Sequence, residues 1–365
     1  MTVTQRNQRL ALSAVLIVGG MLIVILHGDS RGTAHPDDGT HSAPLVIGGS
    51  GVTKIPLAGL TGPIAVGEGG VWLARHDGAA SSLVEIDPTS NATLATLVFS
   101  TGPTAVATGE GSVWAVGSTP MPSPAATGTT GAATLVRIGP KSHTVLATVA
   151  LPGTPGSLTA GLGGVWVGDN AARTVTEFDP HTLQVVATVE VPAGPTKLAA
   201  GLGALWATLT DGSVVKIDPS SHTSVAVIRG VKLLSLGRTV AWVQTGSDVE
   251  RLDPATNHVI GPAYRLHATP ACIATGSHTV WLSTWFPAPG ASSPQPGTPQ
   301  DLVFESLRIE TTNLTALTTP VPIDDAPTCP AAGFGALWAP SSAGKALLRM
   351  PLTGPAAPTP TVGTT

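Results

Sequence analysis

Ten histidines and twenty-two acidic residues are the side chains of this 365-residue sequence best equipped to move protons or hold a metal. Their spacing argues for neither. His143, His181, His222 and His258 each follow shortly after an Asp-Pro step or its Gly139-Pro140 variant. They recur because a turn recurs, and no pair has the close spacing of a zinc motif. His76 and His267 are the two placed in loops that can converge on one surface. Asp87, Asp179, Asp218 and Asp253 each precede a residue of the turn type, Pro88, Pro180, Pro219 and Pro254. Asp followed by Pro opens a type I turn, the carboxylate bonding back to the backbone. Two residues before that position stands a charged residue in seven places: Glu85, Arg137, Glu177, Lys216, Arg251, Arg308 and Arg349. Alternation along a strand puts such residues on a solvated or rim position. Cys272 and Cys329, the chain's two cysteines, stand equally far before a Trp and form a candidate disulfide. No catalytic residue, metal or cofactor is assigned from these patterns.

The elements that must position these residues are repeats. Trp72, Trp114, Trp166, Trp206, Trp242, Trp281 and Trp338 recur at intervals of 36 to 57 residues, and a Gly stands five before each. Seven before each Trp stands a small residue: Ala65, Ala107, Thr159, Ala199, Ser235, Ala274 or Ala331. Every unit reads as four short strands: a small apolar one, the Trp strand, an alternating strand ending near Asp-Pro, and a β-branched strand. Four strands per roughly 40 residues is the period of a propeller blade. Forty-three Gly and thirty-three Pro, beside 42% hydrophobic residues, suit many strands joined by tight turns. The segment from Val52 to Leu57 looks like a fourth strand lacking its first three, and the last repeat lacks a fourth. Pairing the two yields a seven-bladed β-propeller, all-β, closed by an N-terminal strand across residues 50–352, with no exposed sheet edge left at the seam.

Before the ring, Arg6 and Arg9 precede an apolar run from Leu10 to Leu26. The length suits one transmembrane helix, with the N-terminus cytoplasmic by the positive-inside bias and the ring outside. Residues 1–27 are therefore expected to anchor the chain in the cell membrane; cleavage as a signal peptide is the alternative and would leave a secreted protein. Residues 28–49 read as a flexible linker and 353–365 as a disordered Pro/Thr tail. Two insertions, 117–131 and 286–300, interrupt second-to-third strand loops. A net charge of −4 with 11% charged residues and no basic stripe excludes nucleic-acid binding. The chain is expected to be monomeric.

The Gly-Pro…Ala…Gly-x-Gly-x-Val-Trp and Ile-Asp-Pro marks resemble the propellers grouped around virginiamycin B lyase and the YVTN and NHL repeats. For residues 50–352 the resemblance implies a propeller. It also implies lactone-ester opening by elimination, with a His base, a metal ion and acidic residues on one ring face. None of the three residues following any of the repeat Trp is Glu, where that pattern commonly carries one. In a propeller the second-to-third and blade-to-blade loops share a face, where binding concentrates. Arg75, His76, Asp77, Asp169, Asn170, Lys197, Asp211, Lys232, Gln244, His267, Trp285, Asp324 and Asp325 are expected there. The expected function is a membrane-tethered, extracytoplasmic binding scaffold for an envelope protein or polar ligand. A streptogramin-lyase-like or lactonase-like enzyme is the alternative.

Overall fold

The computed structural model describes residues 52–76, 80–100, 102–117, 133–246, 248–265, 272–275, 279–287, 302–310, 316–321, 329–341 and 344–351. In the strands between 279 and 321 only the backbone is described. The anchor, linker, tail and the bulk of both insertions lie outside these residues, as do Asp77, His267, Asp324 and Asp325. So do the side chains of Cys272, Trp281 and Trp285.

The described strands form seven four-stranded antiparallel sheets. Six are sequential: blade 1 within 60–99, blade 2 within 105–150, blade 3 within 155–190, blade 4 within 195–228, blade 5 within 232–265 and blade 6 within 272–321. The seventh joins the two ends of the ring. Thr53–Pro56 is its outer strand and pairs antiparallel with Ala346–Pro351, Thr53 opposite Arg349 and Pro56 opposite Ala346. The first strands of successive blades lie beside one another, those of blades 7 and 1 included. Since Thr53 stands at the end of the sheet where third and fourth strands meet, the chain enters the ring on the face opposite the second-to-third loops.

One cross-strand triplet explains the repeat. Each Trp lies directly between the small residue of the first strand and the charged residue of the third, as in Ala107–Trp114–Arg137 and Ala199–Trp206–Lys216. The small partner makes room for the indole at the crowded inner strand. The six Trp with described side chains are at most 1% exposed. Five of them pack on the next blade, for example Trp72 against Val106, Val113 and Val136, and Trp338 against Val71, Leu73 and Ile86. The ring is therefore held by apolar seams between blades, each Trp burying on the order of 200 Å². In four blades the Gly five residues before Trp accepts the indole N–H, as where Trp114 Nε1 donates to the Gly109 carbonyl at 2.9 Å and Trp338 Nε1 to that of Gly333 at 3.1 Å, whereas Trp72 Nε1 is buried without a partner. Gly109 also has φ of 150°, and a Cβ there would come within 2.9 Å of the Ala160 carbonyl in the next blade.

The charged member of the triplet corrects the expectation of a solvated rim. Glu85 and Glu177 are 2% and 7% exposed, and Arg137, Lys216 and Arg349 stack over Trp114, Trp206 and Trp338 at 5.7, 5.3 and 5.2 Å from the ring centroids. Each then reaches the third-to-fourth turn of the following blade. Arg137 Nη1 donates to the His181 carbonyl at 3.4 Å, Lys216 Nζ to the Pro254 carbonyl at 2.5 Å, and Arg349 Nη1 to Asn91 Oδ1 at 3.4 Å. The last bond crosses the closing seam. Alternation alone puts these residues on the Trp face, and that face is covered by the neighbouring blade.

Those turns are built as expected. Asp87 Oδ1 accepts from the amides of Thr89 and Ser90 at 2.8 and 2.6 Å, and Asp179 and Asp218 repeat the arrangement. In each, backbone amide donors hold the carboxyl below its usual range. The fifth turn residue is left-handed in blades 1 to 5: Asn91, His143, Leu183, His222 and Asn257, with φ of 54–62°. Cys329 is disulfide-bonded, and Cys272, at the start of the blade 6 first strand, is the chain's one other cysteine.

Candidate functional site

The second-to-third hairpin of blade 1 and the link from blade 1 to blade 2 border an open cleft of about 610 Å³. Strand register builds it. His76 ends the Trp strand directly opposite Ser81, the first residue of the third strand. His76 Nδ1 and Ser81 Oγ share a hydrogen bond of 3.0 Å. Ser81 is 8% exposed and His76 is exposed. Arg75 donates from Nε to the Ala58 carbonyl at 2.7 Å, which pins the guanidinium over the entry to blade 1. Opposite them, Ser100, Gly102, Pro103 and Thr104 supply the second wall. Thr104 is fixed by its amide and hydroxyl, both donating to the Val116 carbonyl. Gly102 lies close to the opposite wall: a Cβ would stand 3.3 Å from Ser81 Oγ, a tight contact. A guanidinium, an imidazole and hydroxyls stand around two prolines in a largely apolar cleft, a lining suited to orienting a small ligand through a few polar contacts.

The other expected residues whose side chains are described, Asp169, Asn170, Lys197, Asp211, Lys232 and Gln244, do not line this cleft. Asp169, 9% exposed, is occupied by the fold: Oδ2 accepts from the Thr154 amide at 3.0 Å and Oδ1 from the Ala172 amide at 2.9 Å. Asp211 is exposed and accepts from the Ser213 hydroxyl at 2.6 Å and amide at 2.9 Å, which lower its pKa. Asn170 is exposed beside Gly194, where any Cβ would strike its side chain. Lys197 and Lys232 stand on the first strands of blades 4 and 5, opposite Thr208 and Gln244. Lys197 has open surface, yet crowding at the inner strands desolvates its ammonium and lowers its pKa, with repulsion from Lys232 adding to the shift. Gln244, 9% exposed, donates from Nε2 to the Gly246 carbonyl at 2.9 Å.

Ser81 and the Gly102–Thr104 wall escaped sequence reasoning. The signal was the register: a hairpin closing after His76 places a hydroxyl directly across from it. Among the described residues no three His, Cys, Asp or Glu side chains gather into a metal-sized cluster.

No protein-family model matches the chain, and no curated protein matches it. Solved structures do match by fold. The Pan2 WD40 domain of Neurospora crassa is 9% identical, covering 86% of this chain and 99% of that one, with a TM-score of 0.63. A computationally designed protein, Ika8, is 12% identical over 81% and 99%, at 0.56. A catalytically inactive virginiamycin B lyase from Staphylococcus aureus, solved with quinupristin, is 17% identical over 83% and 99%, at 0.54. At these identities the likeness is one of fold alone. The chain is a β-propeller of repeating four-stranded blades, similar in architecture to virginiamycin B lyase.

Proposed function

We propose that this protein is a membrane-tethered binding scaffold whose propeller stands outside the cytoplasmic membrane and receives a polar ligand or an envelope protein on its second-to-third loop face. The observation that carries the reading is the cleft between blades 1 and 2, with Arg75, His76 and Ser81 on one wall and Ser100 and Thr104 on the other. A rigid ring with a cleft among its loops is the usual arrangement for recognition. The tether rests on the sequence of residues 1–27: two arginines, then an apolar run of membrane-spanning composition.

The test uses the full chain in detergent against envelope extract, beside a variant in which Arg75, His76 and Asp77 are all Ala. Capture by the wild type should fall about tenfold or more in the variant, while the circular dichroism stays the same. Equal capture by both proteins removes this cleft from the binding role. Opening of a lactone by the wild type and not by the variant would replace the scaffold reading with the enzymatic one. Protease added outside intact cells should digest the ring but not residues 1–9; full protection would refute the extracytoplasmic placement.

A further inference from the structure

Two blade seams are fastened differently from those that Arg137, Lys216 and Arg349 fasten. In blades 1 and 3 the residue opposite Trp is an acid, and each carboxylate meets a histidine from the next blade. His143 Nε2 lies 2.7 Å from Glu85 Oε2, and His222 Nε2 lies 2.5 Å from Glu177 Oε2. Both imidazoles also lean on the tryptophan of the preceding blade, His143 on Trp72 at 6.5 Å between centroids and His222 on Trp166 at 6.3 Å. Each carboxylate folds over a glycine, Gly70 or Gly164, where a Cβ would overlap it. The pairing is written into the repeats. Glycine stands two before Trp only in these two blades, and histidine holds the fifth turn position only in the two blades that follow them. At three other seams, a stacked Arg or Lys donates to a backbone carbonyl or to Asn91, bonds that do not titrate near neutrality.

We propose that the Glu85–His143 and Glu177–His222 pairs are proton-responsive clasps, closing the seams between blades 1 and 2 and between blades 3 and 4 in mild acid and loosening them as the medium turns alkaline. A carboxylate stripped of water is costly unless paired with a cation. Imidazole is the one partner whose charge changes in the physiological range. The remaining ionisable neighbours are few: Asp87 repels Glu85 from its own blade, and Asp218 faces His222 from its own turn. Glu85 is held above its ordinary value of 4.5, first by burial, with His143 opposing. The sign follows from linkage. A carboxyl raised in the folded state lends its stability below the unfolded value and loses it as pH climbs through the folded one. The Glu85 contribution therefore weakens from about pH 4.5 upward. The clasp is independent of any ligand bound at the loop face.

The experiment is equilibrium unfolding of the full chain in detergent across about pH 5.5 to 8.5, for the wild type and for the double variant Glu85→Gln, Glu177→Gln. The unfolding constant of the wild type should rise about tenfold over that range. The double variant, whose amides keep a hydrogen-bonding partner for imidazole, should be close to flat. An equal slope in both proteins overturns the proposal. Should the double variant fail to fold, hydrogen exchange of the wild type decides. After correction for intrinsic rates, amides at seams 1–2 and 3–4 should open more at high pH than those at seam 2–3, which Arg137 fastens. Uniform opening across the three seams overturns it as well.

Discussion

Gly70 and Gly164 illustrate how a residue's identity in this ring is set by its neighbour across the sheet. Both lie under a buried carboxylate, and the equivalent positions in basic blades, Ser112, Ala204 and Ala336, carry a side chain without penalty. Gly70→Ala should cost roughly 1–3 kcal/mol, the range of overpacking a filled site. Adding Glu85→Ser should recover part of the loss; measured by urea unfolding, additive losses would show that the two residues do not compete for space. The tryptophans belong to the same scale. Trp206→Ala, which empties the seam against Val231, Leu233 and Val243, should lower stability by about 3–5 kcal/mol. A loss under about 1 kcal/mol would mean that the seam collapses onto the void.

At the scale of the element, the third-to-fourth turn performs two tasks. Its Asp closes the turn, and its left-handed fifth residue meets the preceding blade at Asn91, His143, Leu183 and His222. Asp87, Asp179, Asp218 and Asp253 all have lowered pKa values because hydrogen bonds favour the ionised form. A depressed carboxyl supports the fold above its unfolded value and withdraws that support as pH falls through the folded one. Replacing all four by Asn, which keeps an acceptor but does not titrate, should flatten the acid limb of the stability profile below about pH 4. An acid limb as steep as that of the wild type would place acid sensitivity elsewhere. The turns and the clasps thus act in opposite directions, the turns failing in acid and the clasps in alkali.

For the whole molecule, closure is the decisive feature. Thr53–Pro56 satisfies the outer edge of blade 7, and Arg349 bonds Asn91 across the same seam. Deleting residues 50–57 leaves the Ala346–Pro351 strand with an unpaired edge and removes Ile55 from the core around Trp338. The truncated protein should unfold at lower denaturant with a broadened transition and should self-associate through the bare strand. A truncated protein that is monomeric and as stable as the full chain would show that the ring does not depend on this strand.

The repeat of Trp, Gly and small residues established the blade, its four strands and the split strand of the seam, because each follows from short-range periodicity and from the need to bury an indole. Sequence also placed Arg75, His76 and the turn aspartates, since hairpin ends and Asp-Pro steps are local signals. It misjudged the charged residues opposite Trp. Alternation says which face a side chain occupies, but only the neighbouring blade determines whether that face is water or protein. The same limit hid Ser81 and the Gly102–Thr104 wall, which meet across a blade junction, and the Glu–His clasps, which join positions 58 and 45 residues apart. Contacts between blades depend on how sheets stack around the axis, and that arrangement exists only in the closed ring.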